Sequence, residues 1–213
     1  MSPATKGPSD YGVFIIESLR EGDVPDGKIM HRILSTSKIS SEYHVAKNRA
    51  QFDRLIADFK ASRFRYLHLS CHATTKWIEI GGKQVSNKEL ASLLKGGMTN
   101  KRLFMSACHG ANLDLAKKVI TGSGAMSLIG TPVILYFSKS VLFWPSFYHI
   151  MNEIDSGVMK RKVLISTLQR CTDLFGVAMN YYSRIKSAPK AVRRLKIRAG
   201  QLPSDKRLDL KIK

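Results

Sequence analysis

The sequence predicts an α/β fold: a mainly parallel sheet covered by helices on both faces. Short apolar runs rich in β-branched residues recur along the chain, as buried strands require. The segments between them carry apolar residues at helical spacing. No internal repeat is present, so one α/β domain accounts for the alternation.

Residues 1–10 read as a loose, Pro/Ser-rich lead, and residues 11–17 as the first buried strand. The strand stops in residues 19–27, a loop dense in turn formers. A short helix is expected over 28–34 and a second strand over 42–46. Asn48 can cap a helix whose apolar positions are Phe52, Leu55, Ile56 and Phe59. Residues 65–72 form a third strand, and 77–80 with 83–85 a hairpin about Gly81 and Gly82. Ser86 and Glu89 match a capping box for a helix through Leu90, Leu93 and Leu94. The strand over 101–107 ends at Cys108, and a helix follows through Leu113, Leu115, Ala116, Val119 and Ile120. Two short apolar runs, 125–129 and 133–137, precede helices over 144–154 and 159–175. The expected domain spans 11–183, with residues 184–213 as a basic C-terminal tail.

Charge is the unusual feature of the composition. Lys and Arg number 35 against 16 Asp and Glu, a net +19. Residues 183–213 hold eleven basic and two acidic residues, a net +9. Such a balance favours acidic partners, and nucleic acid could be met through the basic tail. The three cysteines, Cys71, Cys108 and Cys171, are an odd number without framework spacing. With no secretory signal and no apolar run of the ~20 residues that span a bilayer, the expectation is a reducing, cytoplasmic setting with free thiols.

In an open parallel sheet, reactive groups collect beyond the carboxyl ends of the strands. The strand over 65–72 ends in Ser-Cys-His and that over 101–107 runs into Cys-His-Gly. If these strands are neighbours, His72 and Cys108 project at one edge. An imidazole there can take the thiol's proton and later protonate a leaving amine. Amide groups entering the next helix can hold an oxyanion. Strand cysteines and histidines are more often plain core residues, and the pattern alone leaves that reading open. His68, Cys71, His72, Cys108 and His109 are also able zinc ligands. Alternation sends Cys71 to the face opposite His68, Ser70 and His72, and no Cys-x-x-Cys pair occurs, so no metal is expected.

Residues 67–73, Leu-His-Leu-Ser-Cys-His-Ala, and 103–109, Leu-Phe-Met-Ser-Ala-Cys-His, resemble the two motifs of the CHAT branch of the caspase-like cysteine peptidases. Residues 125–130 resemble that family's small-residue strand ending in Ile-Gly, and 143–148 the Trp and Phe-Tyr of the helix after it. The resemblance covers roughly residues 11–183. It implies a caspase-like three-layer αβα sandwich and a cysteine endopeptidase without cofactor. His72 matches the catalytic histidine and Cys108 the nucleophile, while the N–H groups of Ala73 and Cys108 match the oxyanion hole. Ala73 stands where the family has glycine. Ser106 stands where metacaspases carry an acid and caspases a glutamine. Cys71 and Cys171 are structural in this reading.

A substrate pocket is expected beside Cys108, drawn from Arg20, Asp23, Asp26, Ser106 and Lys139, with acidic or uncharged residues preferred over basic ones. The resemblance also implies a protein substrate, a regulatory protein partner, and an effector role in prokaryotic stress or antiviral defence. Two other readings are a catalytically silent caspase-like adaptor and a basic nucleic-acid-binding protein.

Overall fold

The structure is a computed structural model that describes residues 12–157, 159–185, 187–188, 191–201 and 204–208, the last of these as backbone only. The lead expected over residues 1–10 lies outside the described residues. In chain order the elements are β1 (Val13–Ser18), α1 (Asp26–Thr36), β2 (Ser41–Val45), α2 (Arg49–Ala61) and β3 (Tyr66–Cys71). The hairpin β4 (Trp77–Ile80) and β5 (Lys83–Ser86) follows, then α3 (Asn87–Leu94), β6 (Arg102–Ser106), α4 (Leu113–Ser123) and β7 (Ser127–Gly130). The chain continues through α5 (Phe137–Asp155), α6 (Arg161–Phe175), β8 (Met179–Arg184), β9 (Val192–Ile197) and β10 (Ser204–Leu208).

Eight strands form the main sheet in the order β10-β9-β8-β7-β6-β3-β1-β2. The half from β2 to β7 is parallel, and β8, β9 and β10 add antiparallel. Strand alternation divides the apolar residues between two cores. Phe14, Ile16, Leu67, Leu69, Leu103 and Met105 meet α2, α3 and α4 on one face. Val13, Ile15, Tyr66 and Phe104 meet α1, α5 and α6 on the other. The result is the three-layer sandwich expected.

Local signals in the sequence start α2 and α3. The Asn48 side chain accepts from the Gln51 N–H, and Ser86 with Glu89 forms the full capping box. Gly130 ends β7 where a Cβ would lie 2.8 Å from the Met105 carbonyl oxygen, so only glycine lets β7 pack this closely beside β6.

The expected boundary at 183/184 falls inside β8. The basic segment beyond it is not an appendage, because β9 pairs with β8 and buries Val192, Leu195 and Ile197. Strand β10 then pairs with β9. The apolar run over 133–137 stays outside the sheet. It crosses the sheet edge as a loop, and α5 starts at Phe137, earlier than expected, with Pro145 inside it. No described helix is long and apolar enough to cross a membrane.

Candidate active site

The ladder between β3 and β6 pairs Ser70 with Ser106. His72 and Cys108 each lie two positions further on, so they leave neighbouring strands at the same height, where strand spacing is about 4.8 Å. By alternation both side chains point to the face of α1 and α5. The loop before α5 touches Cys108, and the first residue of α5 touches His72. The loop's Leu135 N–H donates to Cys108 Sγ at 3.3 Å, and the sulfur lies 3.7 Å from the Leu135 carbonyl. Phe137 sets its ring edge-on to His72, with centroids 6.2 Å apart at 82°. The Cys108 thiol is free and partly exposed, whereas Cys71 and Cys171 are buried. Burial pushes the Cys71 thiol far up, and the Cys171 thiol up to about 12.

Asp23, in the loop between β1 and α1, holds His72. His72 Nε2 donates to Asp23 Oδ2 at 2.7 Å. The carboxylate can only accept, so Nε2 carries the proton and Nδ1 is the basic nitrogen of the neutral ring. Burial raises the Asp23 pKa. The bonds from His72 and the Arg20 N–H outweigh that and hold it below the usual carboxylate value. The Arg20 guanidinium grips both oxygens of Glu79, at 2.7 and 2.5 Å. Hydrogen bonding to Arg20, more than burial opposes it, holds the Glu79 carboxyl low. Glu79, on β4, donates its N–H to the His72 carbonyl at 2.8 Å. The loop carrying Asp23 and the segment carrying His72 are thus tied together twice.

The turn after β6 is strained at one residue. His109 has φ 54°, a left-handed conformation that costs a non-glycine residue energy. It is held there by its N–H to the Val133 carbonyl and its Nδ1–H to the Pro132 carbonyl, both at 2.9 Å. Ala73, in contrast, is not among the residues with positive φ, so alanine adopts this position without strain. Among the described residues neither the Ala73 N–H nor the Cys108 N–H has a hydrogen-bond partner. Two amides without a partner thus lie on the two segments that carry His72 and Cys108.

The remaining residues expected at a pocket are placed in different settings. Asp26, 4% exposed, accepts from Ser70 and, at 2.6 Å, from Ser106. Arg20 and Asp23 are engaged as described. Lys139 is exposed on the first turn of α5. Of the zinc candidates, His68 is buried among Trp144 and Tyr148 and shares a 3.1 Å hydrogen bond with the Tyr148 hydroxyl. Burial pushes its pKa down to about 3. Cys71 belongs to the opposite core, as alternation requires. Among the described residues no three His, Cys, Asp or Glu side chains are grouped to hold a metal ion. Sequence reasoning missed the Asp23–His72 bond and the contacts of Leu135. Asp23 carried a signal, as an acid in a turn-rich loop at the carboxyl end of a strand, but nothing local joined it to His72, 49 residues on.

No protein-family model and no curated protein matches the chain. Among solved structures it is similar to a secreted C11 cysteine protease from Bacteroides thetaiotaomicron in complex with an irreversible peptide inhibitor. The TM-score is 0.51 at 9% sequence identity, over 81% of this chain and 66% of that one. The chain thus spans about two thirds of that protease's length. At this identity the likeness is one of fold, and the chain has the caspase-like αβα fold of that cysteine protease.

Proposed function

We propose that the chain is a cysteine endopeptidase in which Cys108 and His72 form the catalytic pair. The observation that carries this reading is the Asp23–His72 bond, which leaves Nδ1 as the basic nitrogen at the edge where Cys108 emerges. In the proposed reaction His72 Nδ1 takes the thiol proton as Sγ attacks the scissile carbonyl carbon. The C–S bond forms, and the carbonyl π pair moves to oxygen, where the free N–H groups of Ala73 and Cys108 receive the oxyanion. The C–N bond then breaks as His72 returns its proton to the amine. Water attacks the acyl-thioenzyme, with His72 taking a proton, and releases the acid and the thiol. Asp23 positions the ring throughout and stabilises the imidazolium.

The fold of a cysteine protease and a free, half-exposed thiol among buried ones support the assignment. A controlling protein partner and a role in prokaryotic stress or antiviral defence follow from the sequence resemblance and belong to the same proposal. The test is cleavage of a peptide library by the purified chain. Cys108→Ala and His72→Ala should each lower kcat/KM by about 10³-fold or more, with the circular dichroism spectrum retained. Cys71→Ala and Cys171→Ala should stay active. Cleavage by Cys108→Ala at the wild-type rate would overturn the proposal.

A further inference from the structure

At the end of the sheet opposite Cys108, where the parallel strands begin, lies a cavity of about 630 Å³. That volume is within the range of small-ligand pockets. Arg102 from β6, Arg161 from α6, Arg184 from β8 and Arg193 from β9 all line it. No carboxylate is among the described residues of its wall. Arg102 is the telling member. Its side chain sits in a residue only 5% exposed, with Nη1 donating to Ser127 Oγ at 2.8 Å and Nη2 to the Met159 carbonyl at 3.3 Å. Both partners are neutral.

A buried guanidinium normally keeps a carboxylate beside it, because desolvating an unpaired charge is costly. A ligand anion would supply the missing countercharge. The neighbours suit one. Arg161 stands over the Tyr181 ring at 5.6 Å and opens α6, whose first-turn amides add positive potential. Arg184 is exposed at the rim. Planar guanidinium forks fit phosphate oxygens two at a time. Met126 and Tyr181 add an apolar stretch of wall.

We propose that this cavity binds a small phosphate-bearing ligand, a nucleotide or an inorganic oligophosphate. The inference goes beyond the peptidase reading and does not depend on it. Between Arg102 and Cys108 the chain advances six residues, about 20 Å at the rise of a strand.

The test is calorimetry and thermal shift on the full chain carrying Cys108→Ala, titrated with inorganic triphosphate and with ATP near physiological salt. At least one should bind and raise Tm. Triphosphate binding as tightly as ATP would identify the phosphate chain as the ligand, and tighter ATP binding would add the nucleoside. Arg161→Ala and Arg184→Ala lie at exposed positions and should each weaken binding about tenfold, the worth of one charge-assisted hydrogen bond. Lys88→Ala with Lys95→Ala removes two charges from α3 and its C-cap, which do not line the cavity, and should change nothing. The proposal is overturned if neither ligand binds, or if the α3 variant weakens binding as much as the arginine variants. Binding confined to long polynucleotides and indifferent to Arg161 and Arg184 would overturn it equally.

Discussion

Asp23 fixes the ring of His72 through one short bond, and Arg20 anchors Asp23 through its backbone N–H. Asp23→Ala should therefore lower kcat about 100-fold, the cost of a reacting group displaced by about an ångström, with KM nearly unchanged. Asp23→Glu should recover part of the loss in the same steady-state assay. A KM effect without a kcat effect would make Asp23 a substrate contact instead. His68 carries a second residue-scale prediction. Its folded pKa, pushed down to about 3, lies below the ordinary histidine value near 6.5. Between those values the unfolded chain binds a proton the folded one excludes, so stability falls as pH drops from about 6.5 towards 3. The limit is of order 5 kcal/mol. Urea midpoints at pH 7 and pH 4 should differ less in His68→Phe than in the wild type. Equal differences would show that His68 does not set the acid sensitivity. The sequence placed His72 and Cys108 at strand ends, because strand ends and alternation are local properties, and the pairing of β3 with β6 supplies the shared edge. It could not show what Asp26 does, because its bond to Ser106 spans 80 residues. Ser106 read as the loss of an acid, yet the structure sets the carboxylate of Asp26 against its hydroxyl.

Elements with strong end signals were the legible ones. Asn48 and the Ser86–Glu89 box start α2 and α3 where the sequence places them, since a cap satisfies orphan amides by contacts three residues away. Ser86→Ala should cost about 1 kcal/mol, visible as a lower urea midpoint at unchanged slope, and an unchanged midpoint would mean that the box contributes nothing measurable. The start of α5 was illegible for the opposite reason. Its N-cap, Tyr136, makes no side-chain cap bond, and Pro145 lies within the helix. The run over 133–137 is apolar enough for a strand, but Leu135 spends its N–H on the Cys108 sulfur instead of on a ladder. The candidate site and the element boundary coincide there. The loop before α5 also supplies the carbonyls of Pro132 and Val133 that hold His109 in its left-handed turn. The site is therefore assembled from strand ends, which the sequence reveals, and from loop backbone, which it hides.

For the whole molecule, the parallel half of the sheet carries the candidate active site and the antiparallel half carries much of the basic charge. Strand β9 reads Val-Arg-Arg-Leu-Lys-Ile, which looks like a solvated basic tail because its apolar residues do not alternate. They need not. Val192 joins the core under α2, α3 and α4, while Leu195 and Ile197 join the one under α5 and α6, so both faces of the strand are covered. The basic residues between them include Arg193, which lines the arginine cavity, and Lys196, which is exposed. Burying three such aliphatic side chains contributes roughly 5–8 kcal/mol, against a total stability of about 5–15 kcal/mol for a domain. Loss of β9 should consequently be fatal and loss of β10 should not. A chain ending at residue 184 is expected to be insoluble or to lack a cooperative thermal transition. A chain ending at residue 201 keeps β9 and its bond from Arg198 to the Met179 carbonyl. It should stay soluble, melt at a lower temperature, and cleave a small peptide as the full chain does. If the chain ending at 184 instead melted cooperatively near the wild-type temperature, β9 would be an accessory strand and the cores would close without it.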